Sequence, residues 1–385
     1  MSREGSAVPA VLVWRNDVLH GSETFIRNQV EATRGWRAVL SGARRWRSAL
    51  SAPSDEVLYG DSLRERLYRL FFLRTGLSRR ADRLIRDRDV SLVHAHFATS
   101  AATILPVARR HRLPLVVTVH GFDVTNREMR RGWRGARYVR RTRRVFRYAS
   151  RIVAVSDFIA AQAIEGFGAD PGRIRVLPIG LPPPNPVAVA TEARDLVFVG
   201  RLVAKKGVPD LIAALDMLAG REQRPTVAII GDGPLRAGLE ADARERGLAV
   251  EFLGALPPPA VAEALASARL LVAPSRTAPD GDAEGFGMVF IEAAAAGTPA
   301  IAYRHGGVPE AIIDGVTGVL ADEGDVVGLA QAIDDLLGDP ARRAALGQAA
   351  LARARADFDI ERCTGRLVAL YDEVAAETVG GRRRR

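Results

Sequence analysis

A single cysteine, Cys363, stands in 385 residues, which excludes an internal disulfide framework and a cysteine-rich zinc module. Lysine is almost as scarce: 53 of the 55 basic residues are arginine, and the two lysines, Lys205 and Lys206, are adjacent. Long apolar runs are missing. The longest nearly uncharged stretch, Gly285 to Tyr303, carries Glu292, several glycines and Pro299, a poor membrane-spanning helix. The first apolar stretch, Val8 to Trp14, is too short for a secretory signal and lacks its charged lead-in and cleavage site. A cytoplasmic location is expected, and contact with a membrane would be peripheral, on its inner face. No His/Cys/Asp set has metal-ligand spacing, so no metal is expected. No helix-turn-helix, zinc or RNA-binding signature is present, so no nucleic-acid partner is expected despite the basic charge.

What is present is an ordinary globular composition, 48% hydrophobic and 26% charged, with a length that suggests two domains. The net charge of +10 is unevenly spread. Residues 1–185 hold 33 Arg and 16 acids, a net +17, whereas residues 186–385 come to −7. A basic half is joined to an acidic half that ends in four arginines, Arg382 to Arg385.

Short apolar runs alternate with longer amphipathic segments, which predicts α/β architecture with parallel sheets. In the first half, strands are expected at Ala10–Trp14, Ala38–Leu40, Leu92–His94, Leu115–Val119, Ile152–Val155 and Ile174–Leu177. The alternation restarts with Leu196–Val199, Thr226–Ile230, Val250–Leu253, Leu270–Ala273 and Ala300–Ala302. Between the halves lies Leu181-Pro182-Pro183-Pro184-Asn185-Pro186, too rich in proline to continue a helix or an inner strand. The expected division is a domain at 1–181, a linker at 182–186, a domain at 187–358, and a last helix with an arginine tail at 359–385. Ligands of doubly wound sheets sit at the carboxyl ends of strands, so the expected site is a cleft between two facing sheets.

The most specific segment runs from Glu284 through Gly285, Phe286, Gly287, Met288 and Val289 to Glu292, Gly297 and Pro299. Its glycines allow close backbone approach, and the amides of Phe286 to Val289 form an anion site at a helix start. Glu284 and Glu292 then stand beside opposite ends of a bound phosphate, where carboxylates accept paired hydroxyls such as those of a sugar or ribose. A second segment, Gly200-Arg201 to Lys205-Lys206-Gly207, puts both lysines in one loop after a strand. An ammonium is a point charge on phosphate and Arg201 can fork across two oxygens, so together they suit a diphosphate. The turn Gly231-Asp232-Gly233-Pro234 reads equally as a nucleotide contact or as a tight turn. In the first half, Gly21 leads into Ser22-Glu23-Thr24-Phe25, and Thr118-Val119-His120-Gly121-Phe122-Asp123 ends a strand at His120. His94 and His96 end the preceding strand. Asp280-Gly281-Asp282 looks like an acidic metal motif but reads better as a loop shaping a sugar pocket.

These residues resemble the retaining glycosyltransferases of family 4, of the bacterial polysaccharide or glycoconjugate type. The resemblance rests on the Glu284…Glu292 pair, the Gly200–Gly207 loop, Gly231–Pro234, Phe252-Leu253-Gly254, Gly306-Gly307-Val308-Pro309-Glu310, Ser22–Ile26 and His94–Phe97. It implies the GT-B fold, two Rossmann-like domains facing across a cleft, and a last helix at Ile360–Ala376 that crosses back to the first domain. It implies a nucleotide diphosphate sugar as donor, a hydroxyl acceptor (a glycan, a lipid-linked glycan or a small molecule), no cofactor and no metal. Arg201 and Lys206 would hold the diphosphate, Glu292 the ribose, and Glu284 with the amides of Phe286, Gly287, Met288 and Val289 the sugar and phosphate. Gly231 would line the nucleotide site, and the backbone at Phe252 and Leu253 would meet the base. His120 would touch the sugar and Gly21 a phosphate, although one glycine stands where many members have two. The residues at the reaction would be Glu284, His120, Arg201 and Lys206, in a front-face route with retention. A sugar-nucleotide epimerase and a non-catalytic sugar-nucleotide binder are the alternatives on the same fold. For the basic half, the stretch Leu63 to Arg74 reads either as an anionic-membrane surface or as an arginine-rich surface with Phe71 and Phe72 in the core.

Overall fold

The computed structural model describes residues 8–21, 23–46, 48, 50–183, 194–218, 220 and 224–383. Ser22, the linker residues Pro184 to Pro186, and the tail residues Arg384 and Arg385 lie outside the described residues. The chain forms two compact units. The first comprises Met1–Val124, Glu128–Pro182 and Ile360–Arg385; the second comprises Pro183–Asp359 with Thr125–Arg127. The helix Ile360–Arg383 belongs to the first unit, anchored where the Ile360 amide donates to the Leu181 carbonyl at 2.9 Å. A division near residue 181 does not anticipate Thr125–Arg127. This segment joins the second unit because the Thr125 hydroxyl donates to Asp282, the Asn126 amide group to Asp280, and the Arg127 N–H to the Asp280 carbonyl.

The first unit is built on a seven-stranded sheet in the order Glu56–Val57, Arg37–Gly42, Ala10–Trp14, Val90–His96, Leu115–Val119, Arg151–Ala154, Ile174–Val176. Its neighbouring strands all run parallel. Strand alternation sorts the side chains onto two faces. Val11, Val13, Leu92, Val116 and Val153 pack against Ile26 of the helix Thr24–Ala32 and Leu367, Leu370 and Tyr371 of the last helix. On the opposite face, Trp14 meets Phe72 of the helix Leu63–Thr75 edge to face, ring centroids 5.8 Å apart.

The second unit is a six-stranded parallel sheet in the order Val250–Gly254, Val227–Ile230, Arg194–Val199, Ala268–Ala273, Ala300–Arg304, Gly318–Asp322. Chain order runs outward one way from Arg194–Val199 and then the other way from Ala268–Ala273, so the topological switch point lies between those two strands. In the first unit the corresponding switch lies between Ala10–Trp14 and Val90–His96. The outer strand Gly318–Asp322 was not expected, since its five residues end in a polar Asp and alternate in burial.

Candidate functional site

Both candidate sites grow from these switch points. In the second unit, the strand Arg194–Val199 runs into Gly200, Arg201 and a 3₁₀ turn at Ala204–Lys206, then into the helix Val208–Met217. Gly207 makes that path possible. It has φ +66°, and a Cβ there would stand 1.8 Å from the Pro274 carbonyl. The lysine loop thus lies against the end of the neighbouring strand, and the Arg276 amide donates to the Lys205 carbonyl at 2.8 Å.

This packing carries Lys206 to Glu284, with Nζ to Oε2 at 2.5 Å and side-chain exposures of 16% and 12%. The Ser275 hydroxyl is 3.4 Å from the same carboxylate oxygen. Lys205 pairs with Asp282 at 2.9 Å. Burial pushes the Glu284 carboxyl up, but Lys206 and Lys205 outweigh it and hold its pKa down at about 2. Glu292 has the opposite environment. Burial raises its pKa, Lys206 only partly opposes this, and it has no hydrogen-bond or ion-pair partner among the described residues.

Arg201 is exposed, and among the described residues its guanidinium has no partner. The helix Met288–Ala296 starts at Gly287, φ +86°, where a Cβ would collide with the Phe290 ring. The amides of Phe286, Gly287, Met288 and Val289 have no acceptor among the described residues, as the first turn of a helix requires. The Phe286 ring is buried, edge to face on Phe358 with centroids 5.5 Å apart, so its backbone is what it can offer a ligand. Lys206, Glu284 and these elements therefore meet at one switch point, and a polyanion there would find two cationic side chains and a row of amides.

The turn at Gly231 has a structural reason of its own. Gly231, φ +135°, leaves no room for a Cβ, which would stand 1.9 Å from the Gly200 carbonyl. The Leu202 amide donates to the Asp232 carbonyl at 2.9 Å, so this turn shapes the Arg201 loop. Phe252 and Leu253 end the outermost strand; Leu253 is exposed and the Phe252 carbonyl accepts from Arg236 at 3.1 Å. The carboxylates of Asp280 and Asp282 are engaged by Asn126 and by Thr125 and Lys205. Among the described residues, no three His, Cys, Asp or Glu side chains are grouped to hold a metal ion.

Sequence reasoning missed the support behind Glu284. Its amide donates to His305 Nε2 at 3.3 Å, and its carbonyl accepts from the Gly307 amide at 3.0 Å. Because Nε2 accepts, the His305 proton sits on Nδ1 and donates to Glu323 at 3.0 Å. Gly306, φ +53°, passes so close that a Cβ would lie 2.4 Å from the Glu284 carbonyl. The glycine pair at 306–307 was the available signal.

In the first unit, His120 ends a strand and stacks near Phe25 and Phe97, with centroids 4.9 and 4.5 Å away. Its Nε2 is 3.1 Å from His96 Nδ1. His94 is fully engaged, with Nδ1 2.6 Å from the Tyr371 hydroxyl and Nε2 2.7 Å from Thr118. Burial lowers all three histidines, His94 and His120 to about 3. The ridge is therefore neutral at pH 7. Among the described residues the buried His96 Nε2 has no partner, and it borders a small pocket lined by Phe25, Thr118, His120, Leu177 and Leu367.

Asp123, also missed, holds the His120 turn: its carboxylate accepts from the amides of His120, Gly121 and Ala98. Phe97, φ +68°, stores backbone strain beside His120, and the Arg15 guanidinium lies 4.4 Å above its ring. Arg15 is in turn held by Glu23 at 2.8 Å and by Ser100 at 3.1 Å. Gly21 is exposed, and nothing lies within 4 Å of where a Cβ would be, so no packing demands a glycine there. Gly21 and His120 belong to the first unit; the other expected site residues belong to the second.

Residues 184–353 match the family described as "Glycosyl transferases group 1". Residues 20–183 match "Glycosyltransferase Family 4". A GDP-mannose-dependent alpha-(1-6)-phosphatidylinositol monomannoside mannosyltransferase of Mycolicibacterium smegmatis is 34% identical over 287 residues, 70% of this chain and 73% of that protein. A glycogen synthase of Mycobacterium tuberculosis is 33% identical over 299 residues, 74% of this chain and 70% of that protein. Among solved structures, HepE of Anabaena in complex with UDP superposes with a TM-score of 0.75 at 21% identity, covering 95% of this chain and 100% of that one.

Proposed function

We propose how this chain, which belongs to the group 1 and family 4 glycosyltransferases and has the GT-B fold, performs sugar transfer. Family membership makes transfer the reaction, in place of epimerisation or binding alone. In our reading the donor is a nucleoside diphosphate sugar. The observation that carries this is the Lys206–Glu284 pair at the switch point, beside the unpartnered Arg201 guanidinium and the open amides of Phe286 to Val289. One relative is GDP-mannose-dependent and one structural neighbour is held with UDP, which supports a nucleoside diphosphate without choosing the base.

Lys206 is the mobile charge in this account. Without ligand it is held by Glu284; with ligand, the diphosphate competes for the ammonium, and Arg201 forks across a second phosphate. Both charges stabilise the leaving diphosphate as the glycosidic bond breaks, and they do so without a divalent cation. Glu292, raised by burial and unpartnered, accepts the ribose hydroxyls. Glu284 stays ionised and faces the sugar, with Gly231 and the Phe252–Leu253 backbone lining the base side. On the first unit, neutral His120 meets the sugar and Gly21 a phosphate.

Transfer proceeds with retention. The leaving diphosphate takes the acceptor hydroxyl proton on the same face of the sugar, as an oxocarbenium-like centre forms and closes. The acceptor is a hydroxyl compound reached on the first unit, at an anionic membrane surface. Relatives as different as a phosphatidylinositol mannosyltransferase and a glycogen synthase support nothing narrower. A thermal-shift screen of nucleoside diphosphates and their sugars tests the donor, because a ligand that binds the native state raises its melting temperature. One base should stabilise selectively, and NMR of the product should show a retained anomer. No shift with any diphosphate, or an inverted product, contradicts the reading.

A further inference from the structure

The excess positive charge of the first half has a definite place in the first unit. The helix Ala98–Arg110 packs on the strands of the Trp14 face, and it packs against both Leu63–Thr75 and Gly132–Tyr148. The helix Leu63–Thr75 is apolar on two sides. Phe72 is fully buried, as the core reading expects, but Phe71 is not. Leu63, Leu67, Leu70 and Phe71, at i, i+4, i+7 and i+8, form a solvent-facing stripe in which each residue is half exposed or more, with Leu77 just beyond. A folded domain has no internal reason to place four such side chains in one line facing water.

The helix Gly132–Tyr148 supplies the charge. It holds seven arginines and no acid, and among the described residues none of the seven is paired with a carboxylate. Arg137, Arg140, Arg144 and Arg147 share its exposed face. Like charges at these spacings destabilise a helix, and among the described residues no carboxylate offsets them. Trp133, 72% exposed, stands at its start with the Arg134 guanidinium 5.2 Å from its ring. Arg64, Arg66 and Arg74 flank the apolar stripe on its own helix.

We propose that this side of the first unit docks on an anionic lipid bilayer, with Leu63, Leu67, Leu70 and Phe71 entering the acyl boundary and the arginines of Gly132–Tyr148 meeting lipid phosphates. This names the surface behind the membrane-side part of the proposed function. Hydrocarbon stripe and unpaired arginines together match an interface that is apolar below and anionic above. A nucleic acid would use the arginines and leave the stripe in water. Among the described residues no helix is long and apolar enough to cross a membrane, so the contact is peripheral.

The test is flotation of the full chain with vesicles of phosphatidylcholine alone or mixed equally with phosphatidylglycerol. The protein should float with the mixed vesicles only, and less at raised salt. The Leu67→Glu/Phe71→Glu variant and the Arg137→Glu/Arg140→Glu/Arg144→Glu variant should each bind at least ~10-fold more weakly. Both should keep the wild-type melting temperature and its shift with nucleoside diphosphate, which separates this proposal from the donor reading. Wild-type protein that stays unbound, or variants that float like wild type, overturn it. So does a nucleic acid bound equally by wild type and the Leu67/Phe71 variant while vesicles are ignored.

Discussion

The two units share a doubly wound sheet but furnish their switch points in opposite ways. In the second unit the switch point holds part-buried ion pairs: Lys206 with Glu284, and Lys205 with Asp282. In the first it holds a neutral ridge, His94, His96 and His120, kept uncharged by burial. The half of the chain with the large positive excess therefore presents an uncharged site, and the net acidic half presents the cationic one. Topology decides where a ligand can sit; the side chains at the strand ends decide which ligand. Bulk charge reports on neither and belongs here to the outer helices of the first unit.

The strongest way to break this comparison is to remove the mobile charge. Lys206→Ala should lower turnover ~10²–10³-fold, the loss typical of removing one preorganised charge-stabilising group. Steady-state kinetics with the donor that the thermal screen identifies would check it, and turnover within a few-fold of wild type would contradict the role. The next effect separates the units by pH. His94 and His120 have folded pKa values near 3, below the unfolded value of about 6.5. Their contribution to stability is complete above pH 6.5 and is lost as pH falls towards 3, about 2 kcal/mol each at pH 5. Glu284, lowered to about 2, contributes fully above its ordinary value and loses this only below about pH 4.5. Hydrogen exchange at pH 5 should show the first unit loosened and the second intact; equal loosening of both would remove the distinction.

Smaller effects sharpen it. His120→Ala should reduce turnover ~10–100-fold while nucleoside diphosphate affinity stays unchanged, because a neutral group on the first unit touches sugar and leaves the phosphates alone. His96→Ala, which removes the 3.1 Å bond to His120, should give a weaker version of the same split. Glu292→Ala should do the reverse, weakening nucleoside binding about 10-fold through the lost ribose hydrogen bonds. Calorimetry on the three variants would check these, and a Glu292 variant with wild-type affinity would remove the ribose role.

Local patterns made much of this legible. Apolar runs at Ala10–Trp14, Leu115–Val119 and Leu270–Ala273 are buried strands because only a sheet covered on both faces tolerates such continuity. The lysine pair stood out because arginine fills every other basic position. What escaped was fixed by partners distant in sequence. His305 and Glu323 matter through bonds that follow from how the strands Ala300–Arg304 and Gly318–Asp322 align, and the second of these was itself too mixed in polarity to be seen. Asp123 was quoted beside His120, yet its function depends on amides from two elements. Phe71 and Phe72 are neighbours in the chain, and only the rotation of the helix puts one in the core and the other in water.

Calorimetric titration of wild type and Lys206→Ala with a nucleoside and with its diphosphate tests the charged switch point most directly. Lys206→Ala should weaken the diphosphate ~10–100-fold, the range for a hydrogen bond to a charged group, and leave the nucleoside unaffected. Equal diphosphate affinity in the two proteins would contradict the account.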